Sequence, residues 1–285
     1  MEIDEILIKS STWTWNKLRE ARKLGFQLGE ESITDFLILN IKKHGGSKLR
    51  VDSFTRHKES LNGADWEWWF TGPSGKWVGM RIQAKVLKLD TEKYEHLHHH
   101  NKNGQQVDLL VQDALRNRMI PAYCMFTNWE PSKYNTPWKC KSHKTSVRHY
   151  GTALLSSKKV KQFSKKKTTH LSAIIEHLRP MHCMFCCSGS SIKDLPHRAL
   201  HYAKSNGLLD FQFNTDKSLS FEKVRREFDN YVGDEEYRDD KYFELLIHDN
   251  PPYYVEQVIS GELDGDFLDV HDERLKTVTI FREVE

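Results

Sequence analysis

The chain has 285 residues, 38% of them hydrophobic and 29% charged, with a formal net charge of +3 and five cysteines. That length and composition fit one large domain or two small ones and exclude an intrinsically disordered chain. A near-neutral balance does not by itself point to nucleic acid, and no run of about 18 apolar residues exists to cross a membrane. The first ten residues place three acids where a secretory signal would begin basic and continue apolar, and the odd cysteines follow no disulfide framework. A cytoplasmic protein is therefore expected, its cysteines serving as thiols or metal ligands.

Residues 12–25 predict a helix on Trp15, Leu18 and Leu24, punctuated by Gly25 and Gly29. A second helix is expected over residues 30–44, with Ile33, Phe36, Leu37 and Ile41 as its apolar stripe and Gly45 and Gly46 as its stop. Residues 49–54 suggest a short strand. Residues 64–70 and 77–87 read as two strands joined through Gly72, Pro73, Ser74 and Gly75, a hairpin. After a His-rich loop, residues 105–118 predict a helix on Val107, Leu110, Val111 and Leu115, and residues 122–126 a strand beyond Pro121. Residues 131–148 read as a loop rich in Pro, Lys and His. A dense lysine run over 157–168 leads to a helix near 170–178, ended by Pro180. Met181, Cys183, Met184 and Phe185 suggest a short buried strand. Helices are expected over 191–206 and 221–231, then an acidic stretch over 233–241 and a β-rich tail.

The hairpin carries chemistry. Side chains alternate faces along a strand, so Val78, Met80, Ile82, Ala84 and Val86 share an apolar face while Arg81, Gln83 and Lys85 share the other. On the first strand Asp65 and Glu67 share a face, opposite Trp66, Trp68 and Phe70. Folding about Ser74 sets Asp65 across from Gln83, and the apolar pattern opposes a one-residue slip. A carboxylate, an amide oxygen and an ammonium then converge. Mg²⁺ takes hard oxygen ligands and keeps several waters, so such a set can hold it. The metal polarises a phosphodiester, and a neighbouring Lys orients the attacking water or offsets charge on phosphorus. The bland rival is a solvent-facing hairpin on which Asp65, Gln83 and Lys85 are ordinary surface residues.

Asp65, followed after 17 residues by Gln83, Ala84 and Lys85, resembles the PD-(D/E)xK nuclease superfamily, the restriction-endonuclease-like fold, in which an Asp on one strand precedes an acid-x-Lys on the next. The preceding helix and the following helix and strand fit as well, so the likeness covers roughly residues 25–128. Ala64 stands where the family usually has Pro, and Gln83 replaces the acid of the second motif, a variant similar to that of Mrr-type restriction enzymes. The resemblance implies an α/β fold with a mixed central sheet flanked by helices, a nuclease-like core over residues 1–130 and an accessory extension over 131–285, packed on that core or beside it. It implies a further acid from the preceding helix. Glu31, one turn from Asp35, is the choice, with Glu30 as the alternative. Glu67 can compensate for the charge missing at Gln83, and Gln106 is a weaker candidate on the later helix.

Three other features bear on function. Cys140 and His143, together with Cys183 and Cys186, have spacings that suit a structural Zn²⁺, with His182 and Cys187 flanking; the alternative is buried thiols interleaved with Met184 and Phe185. Lys158, Lys159, Lys161, Lys165, Lys166 and Lys167, with Lys139, Lys141, Lys144 and Arg148, form a basic region that would contact phosphates or remain a solvated loop. Trp66 and Trp68 are expected in the core and Trp69 on the polar face, where it could stack a base. His96, His98, His99 and His100 form a polar cluster beside the hairpin, more often a loop than a ligand set.

The sequence thus leads to a Mg²⁺- or Mn²⁺-dependent deoxyribonuclease in which Asp65, Gln83 and Glu31 hold the metal and Lys85 assists water. DNA is the expected substrate, with RNA open. By the resemblance, a role in bacterial restriction or phage defence and action as a homodimer or with a partner protein follow. The rival is a non-catalytic nucleic-acid-binding module stabilised by zinc.

Overall fold

A computed structural model describes residues 1–46, 49–55, 65–101, 104–187, 194–210, 244–261 and 277–284. Its centre is a mixed sheet. The strands are β1 (Leu49–Thr55), β2 (Trp66–Thr71), β3 (Trp77–Val86), β6 (Ile120–Phe126), β7 (Thr152–Ser156), β8 (Arg179–Pro180), β9 (Ile247–His248) and β10 (Thr277–Glu283). They lie in the order β1-β10-β2-β3-β6-β7-β8, with β9 beside the start of β3. A separate small ribbon pairs β4 (His100–Asn101) with β5 (Gly104–Gln105). The helices are α1 (Ile3–Lys23), α2 (Glu30–His44), α3 (Gln106–Arg116), α4 (Ser157–Lys165), α5 (Leu171–Ile174), α6 (Cys183–Cys186), α7 (Leu195–Ser205) and α8 (Tyr253–Ser260). The protein is a mixed α/β fold, a central sheet flanked by helices.

The sheet takes strands from both halves of the sequence. β10 runs parallel to β2 and antiparallel to β1, and β7 extends the sheet beyond β6. The stretch expected to be accessory thus supplies strands to the same sheet as residues 1–130. No helix among the described residues is long and apolar enough to cross a membrane.

Both faces are buried, and the alternation along β3 decides what each one holds. Val78, Met80, Ile82 and Ala84 join Trp66, Trp68, Phe70 and Phe281 in a core covered by α1, α2, α6 and α7. Each such apolar side chain stabilises the fold by about 1.5–3 kcal/mol relative to exposure. On the opposite face, Tyr123, Met125 and Leu155 pack against Val107, Leu110, Val160 and Phe163 of α3 and α4. Farther along, Trp69, Val278 and Ile280 pack against Ala114 of α3 and Val255 and Val258 of α8. Trp69 is therefore fully buried, its ring against His248 at 5.1 Å, and not the exposed base-stacking candidate its face suggested. The missing signal was α8, which lies far away in sequence.

Several elements depart from expectation for local reasons. α1 begins at Ile3, nine residues earlier than the apolar stripe suggested, because its buried face there includes small polar Ser10, Ser11 and Thr14. Those small residues admit a close backbone approach: a Cβ on Gly151 would lie 1.9 Å from the Ser11 carbonyl. The lysine run is not a loop. Ser156 caps it, accepting from the Lys159 amide at 3.3 Å, and Val160 and Phe163 bury one side of α4. Cys183, Met184 and Phe185 sit on one helical turn, not a strand; a short apolar run does not distinguish the two. The helix expected over 221–231 and the acidic stretch lie outside the described residues.

Candidate active site

The β2–β3 register pairs Trp66 with Ile82 and Glu67 with Arg81 about a turn centred on Ser74. One step further, the Asp65 amide donates to the Ile82 carbonyl at 2.9 Å, which brings Asp65 level with Gln83. Gln83 Nε2 donates to Asp65 Oδ2, and the Ala84 amide donates to the same oxygen at 2.8 Å. Gln83 and Lys85 are only 2% and 4% exposed. This is not the solvent-facing hairpin of the rival reading: an amide and an ammonium buried side by side are costly unless something polar answers them.

The acid of α2 that reaches the hairpin is Glu30, the alternative to Glu31. Glu30 Oε2 accepts from the Val86 amide at 2.9 Å, and Oε1 lies 3.8 Å from Lys85 Nζ. The reason is helical phase. Ile33, Thr34, Leu37, Ile38 and Ile41 form the buried face of α2, and Glu30 continues that face by one turn. Glu31 and Asp35 lie about 100° round, on the exposed side, and Phe36, taken as part of the stripe, is itself exposed. Gln27 fixes the approach of α2, donating to the Leu87 carbonyl and accepting from the Leu89 amide at 3.1 Å. Burial raises the Glu30 carboxyl above its ordinary range, Asp65 raises it further, and Lys85, the Val86 amide and His96 oppose. Asp65, Glu30 and Lys85 therefore form one electrostatic cluster at the Val86 end of β3.

Glu67 is not available to this cluster. It is fully buried, 3.0 Å from Arg81 Nε, and accepts from Trp69 Nε1 and the Tyr254 hydroxyl. Arg81 in turn reaches Asp113 of α3 at 2.5 Å. The strand face is thus divided: its Arg81 end is closed by α3 and α8 as an internal ion-pair network, and its Lys85 end holds the acids.

Two polar atoms at the acid end have no hydrogen-bond partner among the described residues although both are buried: Gln83 Oε1 and the Tyr123 hydroxyl. Tyr123 pairs with Gln83 across β3 and β6, and Asp65, Asp108 and Glu30 all act on its hydroxyl, which burial has already pushed upward in pKa. Sequence reading missed Tyr123 because a tyrosine in an apolar strand looks like core; only its register opposite Gln83 could have flagged it. Gln106, at the first position of α3, likewise has a buried Oε1 without a partner. An acidic pair beside an orphaned amide oxygen fits a hard divalent cation such as Mg²⁺ or Mn²⁺.

The basic residues divide too. Lys161 pairs with Asp108 at 2.5 Å, close to the Tyr123 hydroxyl. Lys158 pairs with Asp210, and with Lys159, His177 and Arg179 it borders a cleft of about 430 Å³. Lys165, Lys166 and Lys167 are exposed at the end of α4. In the His-rich loop, His98 Nε2 is bonded to the Thr168 carbonyl at 2.7 Å, a structural tie, whereas exposed His96 acts on Glu30.

The second cluster of chemistry-bearing residues lies elsewhere. Cys140, Cys183 and Cys186 come together as their spacing suggested, with a ring nitrogen of His182 beside them; the His143 ring bonds to Asp4 at 2.7 Å and lies within 4.8 Å of Cys186 Sγ, and Cys187 Sγ is 3.6 Å from those of Cys140 and Cys186. No curated protein and no solved structure matches the chain. A family model does match, over residues 3–285, and on that match the chain belongs to DUF6615, a family of unknown function.

Proposed function

We propose that this protein is a metal-dependent nuclease that hydrolyses DNA phosphodiester bonds at the Glu30–Asp65–Gln83–Lys85 cluster. One observation carries the reading. Two acids, an amide whose buried oxygen has no hydrogen-bond partner among the described residues, and a buried ammonium meet at the end of β3, brought there by a hairpin and a helix start. Structural ion pairs also collect buried charge, as Glu67, Arg81 and Asp113 do; what supports a ligand here is that the two acids stand with a buried amide oxygen and a buried tyrosine hydroxyl that have no hydrogen-bond partner among the described residues.

Asp65, Glu30 and Gln83 Oε1 would hold Mg²⁺ or Mn²⁺, directly or through water. Such an ion supplies Lewis-acid polarisation of the phosphodiester. Lys85, held beside Glu30, orients the attacking water and offsets negative charge as the phosphorus becomes five-coordinate. The Tyr123 hydroxyl can donate to a ligand oxygen. The exposed lysines of α4 favour a polyanionic substrate and would make its binding fall steeply with salt. The resemblance to PD-(D/E)xK nucleases points the same way and suggests a role in defence against foreign DNA.

The test is to incubate the full chain with plasmid and linear DNA, and in parallel with RNA, in Mg²⁺, Mn²⁺ or EDTA. Cleavage is expected only with metal. Asp65→Ala and Lys85→Ala should each reduce its rate on the order of 10²–10⁴-fold without loss of fold by circular dichroism. Binding of DNA without cleavage under any metal would instead favour a nucleic-acid-binding module, and cleavage undiminished in both variants would remove the site from the reaction.

A further inference from the structure

We infer that Cys140, Cys183, Cys186 and Cys187 form a structural zinc site that clamps the loop before the 3-10 turn Val147–Gly151 onto α6. The argument begins with distances. Cys140 Sγ lies 3.5 Å from Cys186 Sγ and 3.6 Å from Cys187 Sγ, and Cys186 and Cys187 are 3.6 Å apart. Cys183 Sγ completes the group, within 4.8 Å of those of Cys140 and Cys186. Four sulfurs at a Zn–S distance of about 2.3 Å in a tetrahedron stand about 3.8 Å from one another. Disulfide sulfurs lie at about 2.05 Å, and four apolar thiols have no reason to converge. The spacing found is that of ligands sharing one ion.

The surroundings agree. The His143 amide donates to Cys140 Sγ at 3.3 Å, so a backbone N–H group points at one of the sulfurs as such groups do around metal-bound thiolates. Cys183 and Cys186 stand one helical turn apart on α6, the CxxC arrangement that aims two thiolates the same way. The fifth cysteine, Cys124, is buried in β6 and stands apart from the group. His182 Nε2 is 3.6 Å from Cys183 Sγ, and its ring packs edge-on against His149 and toward His143. One of its ring nitrogens lies within 4.8 Å of the sulfurs of Cys140, Cys183 and Cys186; because Cys187 Sγ is 3.6 Å from two of those sulfurs, we assign Cys187 as the fourth ligand and His182 to the wall of the site. The ion would fasten residues 138–143, which have no strand or helix of their own, to α6, and α6 packs on α1 and α7. Thiolates select zinc over Mg²⁺, so this site and the acid cluster take different metals.

The experiment uses the full chain expressed with zinc in the medium. Elemental analysis should find about one zinc per chain, and a Co²⁺-substituted sample should show the intense near-ultraviolet sulfur-to-metal absorption of a four-thiolate site. Cys140→Ser, Cys186→Ser and Cys187→Ser should each lose the zinc, whereas Cys124→Ser and His182→Ala keep it. Asp65→Ala should keep it as well, so failure of the nuclease reading leaves this result standing, and the reverse. Cobalt substitution in the unaltered chain needs no variant to fold. Absence of zinc together with absence of the cobalt band would overturn the assignment, as would a disulfide within the cluster by mass spectrometry. Retention in Cys187→Ser with loss in His182→Ala would overturn the four-sulfur ligand set.

Discussion

Gln83 and Asp65 face each other across the β2–β3 hairpin, and the amide between them is half used: Nε2 donates to Asp65 while Oε1 is buried without a hydrogen-bond partner among the described residues. A glutamate here would lose the donor and add a third carboxylate beside Asp65 and Glu30. Gln83→Glu is therefore expected to destabilise the metal-free protein by about 1–3 kcal/mol, as one acid of the group is driven to hold a proton. Saturating Mg²⁺ should restore the loss, giving a larger metal-induced rise in Tm than in the unaltered chain. Thermal unfolding with EDTA and with Mg²⁺ checks both. An equal Mg²⁺ shift in the two proteins would show that position 83 does not face the ion.

Glu30 makes the acid cluster pH-dependent. Burial, then Asp65, raise its carboxyl above the ordinary 4.5, and Lys85 opposes without cancelling. A carboxyl raised in the folded state contributes its stability below the unfolded value and loses it as pH rises through the folded one. Over that same interval the carboxylate becomes available to a cation, so metal affinity rises as metal-free stability falls. Glu30→Gln should flatten the metal-free stability profile above pH 4.5 and leave the protein more stable at neutral pH, while cleavage falls by about 10²-fold. Denaturation in EDTA across pH 4–8 tests it; profiles of the same shape would remove Glu30 as the titrating group.

The buried network of Glu67, Arg81 and Asp113 is predicted to serve stability alone. Arg81→Met strands two acids beneath α3 and α8 and should cost about 3–5 kcal/mol in urea unfolding. The double change Arg81→Met with Glu67→Gln should recover part of that loss, because one uncompensated charge goes with it. The Mg²⁺-induced shift should survive in the double variant. Its disappearance would mean that Glu67 belongs to the metal site after all.

How much of this could be read from sequence follows from the range of each interaction. The bounds of α2 and the register of the hairpin were legible, since helical periodicity, a Gly-Gly stop and strand alternation are local. Asp65 opposite Gln83 came directly from that register. Of the two helix acids, Glu31 was preferred for lying one turn from Asp35, whereas the buried face through Ile33 and Leu37 leads to its alternative Glu30, which reaches the hairpin. What covers the far face was not legible. Glu67 and Trp69 look like surface residues until α8 and Asp113 are brought over them, and a polar strand face suggests water where the fold supplies an ion-pair network. The CxxH spacing brought His143 into the cysteine group, while in the fold its ring bonds to Asp4 near the start of α1.

The position of β10 bears on how the protein comes to exist. Thr277 pairs with Trp66 and Thr55, so the strand that flanks the Asp65 hairpin is drawn from residues 277–283. During synthesis β1 and β2 wait, unjoined and edge-exposed, until more than two hundred further residues have emerged; contacts of such separation form late and slowly. The Asp65 hairpin would thus remain unflanked on the ribosome, and any nascent chain released early would lack the strand that seats it.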